Sequence, residues 1–330
     1  MKKLAVVTGI LLGTLVLLVA LAVWMGTQPM VSARAPPVRP AVVDPKILEA
    51  HVRMLSQAFH PRDVTHPENL DRAAAYVEGR FKDLGYATSQ QTWTYQAATY
   101  RNIIAARGDV ALPHVVVGAH YDSWHPLPGA DDNASGVAAL LELAALLKEV
   151  PLEGVRLELV AWSLEEPPVF RTEFTGSAIH AKALADRGAN VRAALSVETV
   201  GYFTDAPDTQ HFPVAALNLV YPSTGNFLAL VSNTANTALC RRGKAAVMGA
   251  TVLPVFSFNA PVAIPGIDWS DHRSYWAYGF PAVMVTDSAP NRNPNYHEPT
   301  DTPETLDYVR LAKVVHGVFG MVLDLAAAPL

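Results

Sequence analysis

His114-Val115-Val116-Val117-Gly118-Ala119-His120-Tyr121-Asp122-Ser123 is the stretch from which the fold is read. A short apolar run of valines, ending abruptly in polar residues, reads as a strand that carries its chemistry at its carboxyl end. His120 and Asp122 stand two apart, so on an extended chain they point to the same side. A metal-bound histidine needs a partner for its second ring nitrogen, usually a carboxylate, and Asp122 can supply one.

Working outward from this strand, helix and strand signals alternate from about residue 44. Helices are expected over 45–59, 68–84, 136–150, 174–187, 224–239, 269–278 and 305–325. Strands are expected over 102–106, 114–119, 155–162, 193–200, 217–221 and 281–286. Gly85, Pro151 and Gly188 stand where three of the helices should stop. Such alternation predicts an α/β fold: a three-layer sandwich with a largely parallel mixed central sheet and helices on both faces. No internal linker breaks the pattern, so 44–330 reads as one catalytic domain. Ligands of such folds bind outside the carboxyl ends of the strands, where the polar residues of interest fall.

Residues 128–136, Pro128-Gly129-Ala130-Asp131-Asp132-Asn133-Ala134-Ser135-Gly136, precede a helix. Two adjacent carboxylates there could cap the helix. Capping accounts for one of them, and not for the small residues on both sides. Small residues let backbone approach another group closely, and a metal centre is one such group. At 161–166 an apolar strand emerges into Glu165-Glu166. Buried glutamates are costly unless paired or bound to metal. Neighbours on an extended chain point opposite ways, so one can ligate while the other acts as general base. Glu198 is a lone acid in an apolar strand, and His297 is the one imidazole of the loop 293–302. Two histidines and several carboxylates thus arrive in order at successive strand ends, a donor set suited to zinc or a similar divalent ion. A pair of ions about 3.5–4 Å apart would need a bridging carboxylate. No Gly-x-Ser-x-Gly elbow or Gly-x-x-x-x-Gly-Lys loop occurs, and Cys240 has no motif around it.

Half of the 330 residues are hydrophobic and 17% are charged, enough for a sizeable packed core. A formal net charge of -5 gives no reason to expect a nucleic-acid partner. A single cysteine excludes an intrachain disulfide and a thiolate metal site. Lys2 and Lys3 precede an uncharged run over 4–25, which as a helix would span roughly 33 Å, enough for a bilayer core. A secretory signal would be shorter and end in small residues, and Arg34 interrupts the one candidate cleavage site between Ala33 and Ala35. The expectation is an uncleaved membrane anchor over 1–26 and a proline-rich linker over 27–43. The catalytic domain, 44–330, would be extracytoplasmic, in the periplasm or outside the cell.

Taken in order, these motifs resemble the co-catalytic zinc aminopeptidases, whose relatives include glutamate carboxypeptidase and glutaminyl cyclase. The resemblance runs from about residue 68 to 325. It rests on Ala119-His120-Tyr121-Asp122-Ser123, Gly129-Ala130-Asp131-Asp132-Asn133-Ala134-Ser135-Gly136, Glu165-Glu166, Ser270-Asp271-His272 and the loop 293–302. It implies two zinc ions per chain, with His120 on one, His297 on the other and Asp132 bridging them. Glu166 and Glu198 would complete the two sets. It also implies Glu165 as general base, Asp122 orienting His120, Asp271 in a similar role near His297, and a cis bond between Asp132 and Asn133. Two departures stand out. Many relatives carry aspartate at the position of Glu198, and residues 167–174 lengthen the loop after the glutamate pair. The implied activity is that of a zinc exopeptidase removing N-terminal residues from peptides. The alternatives are a one-zinc acyltransferase like glutaminyl cyclase and a metal-free, non-catalytic binding ectodomain. Asp132 with Asn133-Ala134-Ser135-Gly136 favours the two-metal peptidase, and the complete set of expected ligands speaks against the ectodomain.

Overall fold

In the computed structural model, which describes residues 2–329, the valine run lies in the middle of an eight-stranded sheet. The strands are β1 (Ala87–Tyr95), β2 (Ala98–Arg107), β3 (His114–His120), β4 (Arg156–Trp162), β5 (Val191–Glu198), β6 (Leu228–Asn233), β7 (Val255–Ala260) and β8 (Ala282–Thr286). Their order is β1-β2-β4-β3-β5-β8-β6-β7. The four central strands β4, β3, β5 and β8 are mutually parallel, and antiparallel pairings occur at β1–β2, β2–β4 and β6–β8. All four parallel strands therefore deliver their carboxyl ends to one edge of the sheet.

Among the described residues, eight α-helices accompany the sheet: α1 (Lys2–Thr27), α2 (Pro45–Arg53), α3 (Pro67–Asp83), α4 (Gly136–Leu147), α5 (Gly176–Asp186), α6 (Thr237–Ala250), α7 (His272–Trp276) and α8 (Tyr308–Ala327). Successive side chains of a strand point to opposite faces. Val115 and Val117 accordingly join one apolar cluster with α2, α3, α4, α6 and α8, and Val116 joins a second with α5 and α7. Both faces of the sheet are covered, which gives the three expected layers. In α8, Leu311, Val314, Val315, Val318, Val322 and Leu325 form the helical stripe that is buried, each contributing roughly 1.5–3 kcal/mol.

The structure departs from the sequence reading at the far side of the sheet. Residues 224–239, expected as helix, instead hold β6, and α6 begins only at Thr237. Residues 217–221, expected as strand, lie in an irregular segment with a 3-10 turn at Ala215–Leu219. The apolar core of β6 is too short for its period to tell strand from helix, and it is pairing with β8 and β7 that makes it a strand. β1 and β7 were not foreseen; β1 is a polar edge strand held by its hairpin with β2.

The helix α1 contains Val6–Thr27, long and apolar enough to cross a membrane; it is exposed from Val6 to Met25, and only its end, at Gly26 and Thr27, packs against the rest of the chain. The segment after it has no regular structure, yet it is not a free tether. Gln28 is buried, its amide donates to Asn259 Oδ1 at 2.6 Å, and the Lys244 ammonium donates to its carbonyl at 2.9 Å. Arg34 pairs with Asp324 at 2.7 Å.

Candidate metal centre

Each sequence-predicted site residue lies at the carboxyl edge of the parallel strands. His120 is the last residue of β3 and Glu198 the last of β5. Glu165 and Glu166 follow β4, and His297 lies in the loop after β8. Asp132 lies between β3 and α4. Backbone in the left-handed region re-aims the chain where it leaves the strands: Leu164 just before the glutamate pair, Thr199 just after Glu198, and His297 itself have φ of 62°, 45° and 56°. Non-glycine residues hold such angles only where the surroundings over-determine them.

Two donor groups result, and Asp132 belongs to both. In the first, His120 Nε2 lies 3.3 Å from Asp132 Oδ1 and 3.3 Å from Glu198 Oε2. In the second, His297 Nε2 lies 2.9 Å from Asp132 Oδ2 and 3.6 Å from Glu166 Oε1. One carboxylate thus presents one oxygen to each imidazole. Asp132 Oδ1 and Glu166 Oε1 are buried without an aligned hydrogen bond among the described residues. An orphaned buried carboxylate oxygen is costly, and a divalent cation among these donors would satisfy it. The residues present therefore fit a metal. The tight approach also accounts for the flanking glycines. A Cβ on Gly136 would stand 2.2 Å from Asn133 Oδ1, and Gly129, at φ +59°, would bring one 2.2 Å from the Asp132 carbonyl. The Asp132–Asn133 bond is cis.

The model of peptidase family M28 matches residues 102–322, which includes every strand of the site. The chain belongs to peptidase family M28. It is thus a metallopeptidase, a hydrolase whose substrates are peptides. It is 42% identical over 306 residues to the uncharacterized protein YfbL of Escherichia coli (strain K12), covering 90% of this chain and 93% of that one. It is 28% identical over 241 residues to a probable leucine aminopeptidase of Arthroderma otae (strain ATCC MYA-4605 / CBS 113480), covering 69% of this chain and 58% of that one. The fold is that of BSAP, a zinc aminopeptidase from Bacillus subtilis, with a TM-score of 0.67, 15% identity, and 88% of this chain and 95% of that one covered.

Several buried groups that hold this M28 centre in place carried no role in the sequence reading. Asp301 accepts the backbone N–H groups of Asp131 at 2.9 Å and Asp132 at 3.2 Å. Asp131 itself faces away from Asp132's partners, accepting from the Gly201 backbone and the Asn293 amide. Ser270 donates to Glu198 Oε2 at 2.8 Å. Arg62 is wholly buried and donates to the carbonyls of Tyr121, Leu55, Pro128 and Gly129. Its charge sits beneath Asp122, Asp301, Asp132 and Glu166, which resist the fall that burial imposes on its pKa, to about 10. An arginine after a proline in a turn looks like a solvated charge, so nothing local announced it. Asp122 stands 3.3 Å from His120 Nδ1 and, beyond the expected contact, accepts the backbone N–H groups of both Glu165 and Glu166. Asp271, expected near His297, instead feels chiefly the charges of His120, Glu198 and Asp122, and its helix α7 packs against α5, β8 and β5.

The electrostatics are those of crowded acids. Burial and the neighbouring Asp132 charge push Glu166 up to about 8, and burial pushes Asp271 up to about 7. Burial raises Glu165 well above the ordinary carboxylate range, with Glu166, Glu198 and Asp271 adding to the rise. Burial would raise Asp132 too, but the hydrogen bonds from His120 and His297 outweigh it and hold that carboxylate below its ordinary range. His297 is driven the other way: burial lowers it, and its contacts with Asp132 and Glu166 win, raising it to about 10.

Beside the centre opens a cleft of about 850 Å³, counted to its open mouth. Glu198 and Tyr296 stand on its wall, and Tyr221, Phe227, Phe256, Phe258, Ile267 and Met284 give it an apolar lining.

Proposed function

We propose that this peptidase is a zinc aminopeptidase using two ions, one held by His120, Asp132 and Glu198 and the other by Asp132, Glu166 and His297. The observation that carries the reading is the Asp132 carboxylate, which turns one oxygen toward each histidine. The bound ions would supply Lewis acidity, acidifying the attacking water and polarising the peptide carbonyl. Glu165 belongs to neither donor group and lines a small opening with Ser177, Asp271 and Arg273. It is therefore free to take the water's proton and hand it to the leaving amine. Burial raises its pKa, the direction that makes a carboxylate a stronger base. Asp122 fixes the Glu165–Glu166 backbone through its two accepted hydrogen bonds.

The cleft supports cleavage at the amino end. None of its lining residues is Lys or Arg, so no side-chain cation there would pair with a peptide's terminal carboxylate. The Glu198 carboxylate, facing the same space, suits a protonated amine. The apolar walls suit a large apolar first residue, in line with the leucine aminopeptidase named among the relatives. In the same reading 1–26 anchors the chain, 27–43 links it, and 44–330 works on the extracytoplasmic side. Lys2 and Lys3 before α1 favour a cytoplasmic N-terminus.

The test is digestion of a peptide library by the full chain in detergent, with and without a chelator. Release of single N-terminal residues, lost on chelation and restored by zinc, is expected. Equal cleavage of N-acetylated peptides would overturn the aminopeptidase reading. Cyclisation of glutaminyl peptides without hydrolysis would replace it with the acyltransferase.

A further inference from the structure

Away from the catalytic centre, a third group of metal-ligating side chains converges where two loops meet. Asp63 and His66 lie just before α3, and His125 lies in the loop after β3. Asp63 Oδ2 is 3.0 Å from His66 Nδ1 and 3.0 Å from His125 Nδ1. The Thr65 hydroxyl lies 3.1 Å from the first of these nitrogens and 3.4 Å from the second. A tetrahedral zinc with bonds of 2.0–2.1 Å sets its ligands about 3.3 Å apart, and these four distances are close to that spacing. The donor spacing matches that around His120, where both carboxylates stand at 3.3 Å.

The group is also organised as a site. Asp63 is 2% exposed and is oriented by the Thr65 backbone N–H at 2.8 Å, while His66 and His125 reach solvent. Each imidazole turns Nδ1 inward, leaving Nε2 to carry the proton of the neutral, ligating tautomer. The two rings lie nearly parallel, 6.0 Å apart at an interplanar angle of 22°. The positive end of α3 begins at the next residue and opposes a cation, but the Asp63 carboxylate is in direct contact and outweighs it.

We propose that Asp63, His66 and His125 form a separate site for one zinc-type transition-metal ion, with the Thr65 hydroxyl or a water as fourth donor. The ion staples the segment before α3 to the loop that carries Asp122 and Gly129. Trp124, the neighbour of His125, lies with its ring 4.1 Å from that of His297, so the staple also steadies the ring packed on a catalytic-centre histidine.

The experiment measures zinc content. The full chain in detergent is stripped with a chelator, dialysed against low-micromolar free Zn2+, and assayed by elemental analysis beside a His66→Asn/His125→Asn double variant. The double variant is expected to hold one zinc per chain fewer than the natural chain, and to lose part of the zinc-dependent rise in Tm. The readout is a difference, so it is independent of whether the catalytic centre holds two ions, one or none. The single variant His125→Asn, altered only at a half-exposed loop side chain, guards against misfolding and should lose the same equivalent. Equal zinc content in the natural chain and both variants would overturn the site and leave Asp63 as a carboxylate accepting two imidazole hydrogen bonds.

Discussion

Asp122→Asn is the substitution that most directly probes how the centre is held. The Asp122 carboxylate is buried and accepts one backbone N–H on each oxygen, from Glu165 at 3.1 Å and from Glu166 at 3.0 Å. Asparagine keeps the shape but turns one oxygen into an NH2 group, setting donor against donor at one of the two amides. A hydrogen bond to a charged group is worth ~1.5–3 kcal/mol, and an orphaned buried donor costs ~1–3 kcal/mol. These overlap, so the expected loss of stability is ~2–4 kcal/mol. The peptide that shifts carries both Glu165 and Glu166, so zinc affinity or turnover should also fall, by roughly 10–100-fold. Urea denaturation of the zinc-loaded chain measures the first effect, and competition with a chromophoric chelator measures the second. Stability within ~0.5 kcal/mol of the natural chain, together with unchanged zinc affinity, would refute the clamp.

Other outcomes follow from the same geometry. Glu165→Gln should retain zinc while turnover falls ~10²–10⁴-fold; near-normal rates at full metal content would remove Glu165 from its role. In the metal-free protein, Glu166 and Asp301 are pushed up to about 8 by burial and neighbouring acids, and His297 to about 10. Folded pKa values above the unfolded ones mean stability that is full at low pH and lost as pH rises through them. Thermal unfolding of the chelator-treated chain should therefore weaken between about pH 5 and 10, while zinc binding, which needs these groups deprotonated, strengthens. A flat or opposite profile would contradict this. Glu158→Gln, which removes a buried charge facing His114, His180, Arg156 and Arg187, should cost about 3 kcal/mol in chemical denaturation. Ala229→Phe, which fills the apolar cleft, should lower kcat/KM for leucine-terminal substrates at least ~10-fold while sparing alanine-terminal ones.

Much of the site was legible because its donors are local events in the chain. His120, Glu165, Glu166 and Glu198 interrupt or end apolar runs, and an acid or imidazole at the end of a buried strand is expensive without a partner. The valine run, the helix-stopping glycines and the order of the motifs carried the sheet and its helices. The misread elements have little local signal: β6 has a four-residue apolar core of ambiguous period, and β1 is mostly polar.

What the chain determined locally is therefore which residues stand at strand ends, and that these are imidazoles and carboxylates suited to a metal. Only the tertiary structure decided which oxygen faces which nitrogen. Asp132 meets His297 across 165 positions of sequence, and Asp301 reaches the Asp131 amide across 170. It also decided that Arg62 lies buried beneath the acids and that Asp271 stands on the His120 side. Such choices follow from desolvation: a charge tolerated in solvent at any position is tolerated in the core only where distant backbone and side chains satisfy it, and those partners come together only when the sheet closes.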